Sequence, residues 1–265
     1  MRDILFEIAE KTKERVAQEK QVLGMDAIKE KAILSPKPID FPFERALRAE
    51  GISFICEVKK ASPSKGLIAP DFPYLDIARE YEAAGASAIS VLTEPFYFMG
   101  ENQYLAEIRK QVSIPLLRKD FTVDPYMIYQ ARAIGADAVL LICAILSKEE
   151  LREYLELATS LGLSALVEAH DEQEVLMALE VGAGIIGVNN RNLKDFTVDI
   201  ENSVRLRKMV PDNVIFVSES GMKTRDDIAR LEANGTNAVL IGETFMRSTD
   251  KARMLNELRG LNVEN

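Results

Sequence analysis

Several residues and patterns that common classes of protein need are scarce or missing in this chain. Its 265 residues include one histidine and two cysteines, and no group of Cys, His and acidic residues has zinc-site spacing. Cys56 and Cys143 each lie within an apolar run, so we expect buried free thiols rather than a disulfide framework. Free thiols suit a reducing compartment, and we therefore expect a cytoplasmic protein without a bound metal.

Long apolar runs and an excess of positive charge are also absent. No uninterrupted stretch of about 18 apolar residues occurs, and charges interrupt the apolar positions of residues 1–16, so neither a membrane span nor a signal peptide is expected. A formal net charge of −9 argues against a general nucleic-acid binder. No glycine-rich dinucleotide fingerprint follows the first predicted strand, which argues against a nicotinamide cofactor. An anionic small molecule stays open as a ligand, because an acidic protein can hold a local cationic pocket.

The chain does have a regular alternation of short apolar runs and amphipathic segments after residue 51. The predicted strands lie at 53–58, 87–92, 114–117, 137–142, 164–167, 184–188, 213–217 and 237–241. Near-continuous apolar strands separated by helices predict a parallel sheet covered by helices. Four helices end in similar glycine-containing sequences, at positions 85, 135, 182 and 235, which indicates an internal pseudo-repeat. Eight strand–helix units favour an α/β fold, the (β/α)8 TIM barrel, over an open sheet.

The first 51 residues have a different pattern. Helices are predicted at residues 3–20, after Asp26, and at 43–50 before Gly51, with prolines interrupting the stretch between the last two. These segments contain too few apolar residues to form a core of their own. We expect residues 1–51 to be a helical extension packed on a barrel of residues 52–265, so that 1–265 form a single domain.

Polar residues follow most of the predicted strands, and in such barrels the carboxyl ends of the strands build the active site. The fourth strand is the exception, because it ends in apolar residues. The polar strand ends are Glu57 and Lys59, Thr93 and Glu94, Lys119 and Asp120, Glu168 and His170, Asn189 and Arg191, Glu219-Ser220-Gly221, and Gly242-Glu243. Their concentration at one end predicts a catalytic site.

The first of these ends, CEVKKASPSKG at 56–66, places Glu57 and Lys59 on the same side of a strand. Alone, this pair fits a structural ion pair or a ligand site equally well, and the small and cationic loop after it suits closure over an anion. Lys119 would share the barrel mouth with Lys59. Mutual repulsion and partial burial then predict a lowered lysine pKa and a general acid near neutral pH, with Glu57 and Glu168 as carboxylate counterparts.

Two glycines indicate a phosphate site. Gly221 and Gly242 end the seventh and eighth strands, where backbone N–H groups can approach a ligand closely, and a helix is predicted to begin near Glu243.

His170 and Cys56 are less suited to catalysis than their chemistry suggests. His170 lies two residues after Glu168 and could act as a general base. However, Asp171 and Glu174 give a capping-box-like helix start, so we favour a structural or positioning role for His170. Cys56 precedes Glu57 and therefore faces the helices, where a nucleophile would be poorly aimed.

Seven segments in these places resemble a known family, indole-3-glycerol phosphate synthase. They are CEVKKASPSKG (56–66), SVLTEPFYFMG (90–100), LLRKDF (116–121), LVEAHDEQE (166–174), IGVNNRNL (186–193), VSESGM (217–222) and LIGETFM (240–246). The resemblance implies a lyase of tryptophan biosynthesis that needs no cofactor. Its substrate would be 1-(2-carboxyphenylamino)-1-deoxyribulose 5-phosphate, which cyclises to indole-3-glycerol phosphate with loss of carbon dioxide and water.

The resemblance also implies a set of functional residues. They are Glu57, Lys59, Ser62, Phe98, Lys119, Glu168, Asn189, Arg191, Glu219, Ser220, Gly221 and Gly242, with Glu243 at a position where the family varies. Lys119 would protonate or polarise the ketone oxygen, Lys59 would hold the departing carboxylate, and Glu168 would act in dehydration.

Supporting roles follow for the others. Glu57 would fix Lys59 or take a proton, and Asn189 would bind the sugar hydroxyls. Phe98 would form a wall for the aryl group, and Arg191 would order Glu219 or the network at the strand ends.

Two rival functions stay open at this point. A phosphosugar isomerase barrel, such as phosphoribosylanthranilate isomerase, would suit a thiol or carboxylate pair, but Cys56 faces the wrong way for it. A catalytically silent barrel could bind a phosphorylated ligand as a sensor, although the intact set of lysines and glutamates argues against it. In each case the expected partner is a small phosphosugar, with no nucleic acid and no membrane. We expect a monomer, with a weak dimer as the alternative.

Overall fold

Eight parallel strands close into a barrel, which confirms the predicted fold. The computed structural model describes residues 4–192 and 195–261. The strands are β1 Ser53–Val58, β2 Ala88–Leu92, β3 Leu116–Lys119, β4 Ala138–Ile142, β5 Ser164–Ala169, β6 Ile185–Asn189, β7 Ile215–Glu219 and β8 Ala238–Ile241. Each strand pairs with the next along the chain, and β8 pairs with β1 in the register Ser53 to Ala238, so the described sheet has no free edge.

Twelve α-helices lie within the described residues. They are α1 Ile4–Val22, α2 Met25–Leu34, α3 Pro42–Leu47, α4 Tyr74–Ala83, α5 Asn102–Ile108, α6 Pro125–Ala133, α7 Lys148–Ser160, α8 Glu172–Glu180, α9 Glu201–Leu206, α10 Arg225–Ala233, α11 Glu243–Arg247 and α12 Lys251–Arg259. The four repeated glycines have φ values of 86°, 89°, 83° and 81°, the left-handed conformation expected where a helix ends. No helix in these two stretches of chain is both long and apolar enough to cross a membrane.

Some element boundaries differ from the prediction. The third helix ends at Leu47, short of the expected residue 50, although Gly51 does adopt a φ of 79°. Strands β3, β5 and β7 continue two residues beyond their apolar runs, so that Lys119, Glu168 and Glu219 remain within the ladder. The apolar run ends where side chains begin to point into the mouth, whereas the backbone pairing continues past that point. Residue 3, the predicted start of the first helix, and Leu193 lie outside the described residues.

The barrel interior is closed at both ends by the N-terminal helices. Phe43 and Leu47 of α3 are fully buried against the first residues of the strands, where Ser53 donates its hydroxyl to the Ala46 carbonyl oxygen. Burying each of these two side chains stabilises the fold by about 1.5–3 kcal/mol. Leu5 and Ile8 of α1 pack into the same apolar cluster from the opposite, carboxyl end. The extension therefore supplies one wall of the mouth.

Candidate active site

A cavity of about 410 Å³ opens at the carboxyl ends of the strands. The residues to which the family resemblance assigns functions all line it: Glu57, Lys59, Ser62, Phe98, Lys119, Glu168, Asn189, Arg191, Glu219, Ser220, Gly221, Gly242 and Glu243. Three other polar residues at the strand ends, Thr93, Glu94 and His170, do not line it. The barrel closure brings the lining residues together because adjacent parallel strands place their carboxyl ends side by side. A cavity of this size matches a small-molecule ligand.

Lys119 is shared by two carboxylates. Its Nζ lies 2.8 Å from Glu168 Oε2 and 2.6 Å from Glu219 Oε2. Burial alone would lower the pKa of Lys119, but the attraction of Glu168, Glu219 and the more distant Glu57 outweighs burial and raises that pKa. The prediction of a lowered lysine pKa is therefore wrong for Lys119 in the free protein, because carboxylates rather than Lys59 are its nearest charges. Lys119 is therefore an ammonium in the free protein.

Lys59 forms a separate ion pair with Glu57, at a distance of 2.5 Å between Nζ and Oε1. Glu57 Oε2 also accepts a hydrogen bond from the buried hydroxyl of Ser90 at 3.4 Å. A Cβ at Gly242 would lie 2.4 Å from Glu57 Oε1 and 2.8 Å from Lys59 Nζ, so the absence of a side chain there makes room for this pair. This use of Gly242 was not among the sequence predictions, which concerned its backbone N–H.

Glu168 is held as a carboxylate by several donors. Besides the Lys119 contact at Oε2, its Oε1 lies 3.3 Å from Asn189 Nδ2 and 3.3 Å from His170 Nε2. Burial alone would raise the pKa of Glu168, but Lys119 and His170 together lower it below its ordinary value. Glu168 is consequently ionised in the free protein, and loss of either positive charge would raise its pKa.

The pKa of Glu219 shifts in the opposite direction. Burial, together with repulsion from Glu168 and Glu57, outweighs the attraction of Lys119 and raises the pKa of Glu219 to about 7. Its Oε1 is buried without a hydrogen-bond partner among the described residues, and a Cβ at Gly187 would lie 2.2 Å from that oxygen. Sequence reasoning missed Gly187, although a lone glycine inside a predicted strand is a signal of close approach.

Asn189 and Arg191 order the loop that follows β6. The Arg191 backbone N–H donates to Asn189 Oδ1 at 3.0 Å, which turns the Asn189 Nδ2 toward Glu168. The Arg191 guanidinium donates to the Phe196 carbonyl oxygen at 3.3 Å. No hydrogen bond or ion pair joins the described side chains of Arg191 and Glu219. Of the two roles expected for Arg191, the ordering of the network at the strand ends therefore stays a prediction, and its contact with Asn189 is consistent with it.

The opposite rim of the cavity is formed by the turns after β7 and β8. Ser220 and Gly221 have φ values of 67° and 100°, so both adopt left-handed backbone conformations in the tight turn after Glu219. Lys223 and Arg247 line the cavity on this side and were not identified from the sequence. Arg247 pairs with Glu243 at 3.1 Å, so the net positive charge of this rim comes from Lys223.

The apolar side of the cavity depends on a buried carboxylate. Glu94 accepts backbone N–H groups from Phe96, Tyr97 and Phe98 at 2.9, 2.7 and 3.0 Å and so shapes the turn that presents Phe98. The Phe98 carbonyl oxygen accepts the Ala61 N–H at 3.2 Å, which joins this turn to the small hairpin of Ala61–Ser62 and Gly66–Leu67. Glu94 thus supports the fold of the mouth.

The two cysteines are free and buried, as predicted. Cys56 lies in the apolar layer between strands and helices, and burial raises the pKa of its thiol. It takes no part in the cavity.

A (β/α)8 barrel whose mouth holds two lysine–carboxylate groups and a cationic rim is an acid–base enzyme for a small anionic substrate. The sequence model of the family described as indole-3-glycerol phosphate synthase matches residues 5–258. The proteins named indole-3-glycerol phosphate synthase from Ruminiclostridium cellulolyticum and Endomicrobium trichonymphae are 58% and 57% identical to the chain, each over 97% of this chain and 99% of its own length. This chain therefore belongs to the indole-3-glycerol phosphate synthase family, whose members are carboxy-lyases of tryptophan biosynthesis.

A solved structure illustrates the fold. The thiamine phosphate pyrophosphorylase of Pyrococcus furiosus superposes with a TM-score of 0.59 at 18% identity, covering 82% of this chain and 96% of that one. At this identity the likeness bears on the fold alone.

Proposed function

We propose that this cavity converts 1-(2-carboxyphenylamino)-1-deoxyribulose 5-phosphate to indole-3-glycerol phosphate, with loss of carbon dioxide and water. The observation that carries the proposal is the buried Lys119 shared by Glu168 and Glu219, beside a second lysine–carboxylate pair in the same cavity. A ring closure onto a ketone followed by dehydration needs a proton donor and an ionised base close together, and this arrangement supplies both.

The substrate would be oriented by three parts of the cavity. The phosphate would lie at the turns of Ser220-Gly221 and Gly242-Glu243, where backbone N–H groups, Lys223 and Arg247 favour an anion. The aryl group would pack against the apolar side, formed by Phe98, Leu5, Ile8 and Ile68. The carboxylate that leaves would face Lys59, and Ser62 and Asn189 would contact polar groups of the substrate.

Lys119 would act first. The ring carbon that carries the carboxylate attacks the ketone carbon, the new carbon–carbon bond forms, and the ketone oxygen takes a proton from Lys119 to become a hydroxyl. Carbon dioxide then leaves from the attacking carbon, and its bonding electrons restore the aromatic ring. Lys59, held by Glu57 at 2.5 Å, would bind the carboxylate until this bond breaks.

Glu168 would act in the dehydration. Once Lys119 is neutral, Glu168 loses one of the cations that lower its pKa and becomes a stronger base. It would accept a proton from the carbon beside the nitrogen while Lys59, released when carbon dioxide departs, protonates the leaving hydroxyl, so that water is lost. This order couples the two steps, because the first proton transfer prepares the base for the second.

Substitution of the two groups tests this division of roles. Lys119→Met and Glu168→Gln should each lower kcat by about 10²-fold to 10⁴-fold with little change in substrate affinity, followed as indole fluorescence from the synthetic substrate. Lys148→Met, which removes an exposed lysine paired with Glu180, is the matched control and should retain the wild-type kcat. Near-normal kcat in either site variant would refute the role of that residue, and binding without turnover by the wild type would favour a silent phosphosugar-binding barrel.

We also infer a cytoplasmic monomer. Two free buried thiols suit a reducing compartment, and all of the groups assigned to the cavity come from a single chain. Light scattering of the purified protein at micromolar concentration tests the monomer, and a stable dimer mass would contradict it.

A further inference from the structure

The only histidine of the chain lies between two carboxylates. His170 Nδ1 is 2.9 Å from Glu174 Oε2 on α8, and His170 Nε2 is 3.3 Å from Glu168 Oε1 at the end of β5. The second contact is an ion pair rather than an aligned hydrogen bond, since Nε2 has no hydrogen-bond partner among the described residues. Glu168 therefore meets two cations through different oxygens, His170 at Oε1 and Lys119 at Oε2.

Two carboxylate oxygens this close to the two ring nitrogens favour a charged ring. A neutral imidazole has one N–H and one lone pair, so one of its nitrogens would direct a lone pair at a carboxylate oxygen. An imidazolium instead presents an N–H to each. Burial alone would lower the pKa of His170, but Glu168 and Glu174 outweigh burial and raise it to about 10.

The other groups near the ring leave its charge balance unchanged. The Asp171 carboxylate is engaged in capping α8, where it accepts the Glu174 N–H at 3.0 Å. The Cys143 thiol, in the turn after β4, stays neutral because burial raises its pKa. Asn202 donates its side-chain amide to the His170 carbonyl oxygen at 3.1 Å and carries no charge. The backbone N–H of His170 donates to Glu174 Oε2 at 2.8 Å, so Glu174 fixes both the ring and the chain.

We propose that His170 is a positioning residue that decides which of the two carboxylates beside Lys119 is the ionised base. Glu168 and Glu219 share one lysine almost symmetrically, but His170 contacts Glu168 only. Its fixed positive charge keeps Glu168 ionised and leaves Glu219 as the member of the pair that takes up a proton. Glu174 is the brace that keeps the ring charged and oriented. The catalytic meaning of this assignment rests on the proposed role of Glu168, whereas the charge of the ring does not.

A single histidine makes the charge directly measurable. In spectra of the whole protein with labelled imidazole nitrogens, one histidine signal set is expected, and it should remain that of an imidazolium through pH 8. Glu174→Gln and Glu168→Gln should each lower its pKa toward 6.5 by about 1–3 units. Titration of the wild-type ring near 6.5, or a pKa that neither variant changes, would overturn the proposal. This readout does not depend on turnover, so it separates a failure here from a failure of the role assigned to Glu168.

The effect on the pair is tested by removing the charge while keeping a donor. His170→Gln retains an N–H that can reach Glu168. The limb of the kcat profile near pH 7, which belongs to the Glu168–Glu219 pair, should then move to higher pH by about one unit. Glu174→Gln should shift it in the same direction by less. Glu172→Gln, an exposed change in the same turn of α8, is the matched control and should leave the profile in place.

Each outcome decides between positioning and simple support. A uniform loss of kcat without a shift of the limb, in His170→Gln or Glu174→Gln, would show that the ring serves stability only. If His170→Gln does not fold, Glu174→Gln carries the same test, because Gln still offers an oxygen to the His170 backbone N–H.

Discussion

Three consecutive residues at the end of β3 belong to two charged clusters, one with more cations than anions and one with more anions than cations. Arg118 and Asp120 belong to an outer cluster, in which the Asp120 carboxylate accepts Arg15 from α1 at 3.0 Å, Thr93 at 2.7 Å and Arg118 at 3.3 Å. Lys119, between them, belongs to an inner cluster in which one cation meets the two carboxylates of Glu168 and Glu219. Alternation of side chains along the chain separates the two clusters, although Asp120 also lines the cavity.

The difference lies in the charge state that each cluster imposes on its carboxylates, since the outer cluster also has a buried polar atom, Arg15 Nε, without a hydrogen-bond partner among the described residues. Burial alone would raise the pKa of Asp120, but Arg15 and Arg118 outweigh burial and lower it. In the inner cluster, by contrast, the pKa of Glu219 rises to about 7 and one of its oxygens has no hydrogen-bond partner among the described residues. Buried charge alone therefore does not identify a functional site in this protein. The inner cluster differs in having a carboxylate whose pKa is raised into the neutral range beside an ionised one, an arrangement typical of groups that exchange protons.

The largest effect on stability is expected in the outer cluster. Asp120→Asn leaves Arg15 and Arg118 buried without their anion, and we expect a loss of about 3–5 kcal/mol in the free energy of unfolding. Urea denaturation measures this loss, and kcat per folded molecule should stay close to the wild-type value. A stable Asp120→Asn variant with greatly reduced kcat would erase the distinction between the two clusters.

A smaller effect is expected where the inner cluster meets the backbone. A Cβ at position 187 would displace Glu219 Oε1, so Gly187→Ala should cost about 1–3 kcal/mol of stability and lower kcat by about 10-fold to 100-fold. Gly184→Ala is the matched control at the start of the same strand, because a Cβ there would meet nothing within 4 Å. Equal kcat values for the two variants would show that Glu219 tolerates displacement.

The smallest effect concerns the pH dependence of stability. The folded pKa of Glu219, about 7, lies above its ordinary value of 4.5, so the folded state holds this proton between these values while the unfolded state does not. The contribution of Glu219 is therefore present below pH 4.5 and is lost as pH rises through 7. Unfolding by urea at pH 5 and pH 8 should show a steeper decline for the wild type than for Glu219→Gln, by on the order of 1–2 kcal/mol. Parallel declines would contradict the raised pKa.

Much of this structure follows from local sequence patterns. Apolar runs located all eight strands, and side-chain alternation placed Cys56 toward the helices and Glu57 toward the mouth. The polar residue at each strand end could be identified on its own. A closed barrel then places these ends around one mouth, whatever the loops contain. Asp171 likewise caps α8 as its spacing from Glu174 indicates, whereas the Glu174 side chain accepts the His170 N–H rather than the Asp171 N–H of a complete capping box.

What could not be predicted depends on distances between strands. The raised pKa of Lys119 follows from two carboxylates on β5 and β7, at 2.8 and 2.6 Å. The expected repulsion between Lys59 and Lys119 predicted a lowered pKa instead. Gly187 matters only because Glu219 of the neighbouring strand lies against it. The cavity-lining positions of Lys223 and Arg247 depend on turns after β7 and β8 that have no marked pattern.

The most direct test of the central claim is the pKa of the Lys119 amine in the free protein. Side-chain nitrogen spectra over a pH series, with the Lys119 signal assigned by its loss in Lys119→Met, give this value. We expect an ammonium that is still protonated above the ordinary lysine pKa of 10.5, because Glu168, Glu219 and Glu57 outweigh burial. A pKa below 10.5 would contradict it and would return Lys119 to the neutral-pH acid that repulsion from Lys59 alone would produce.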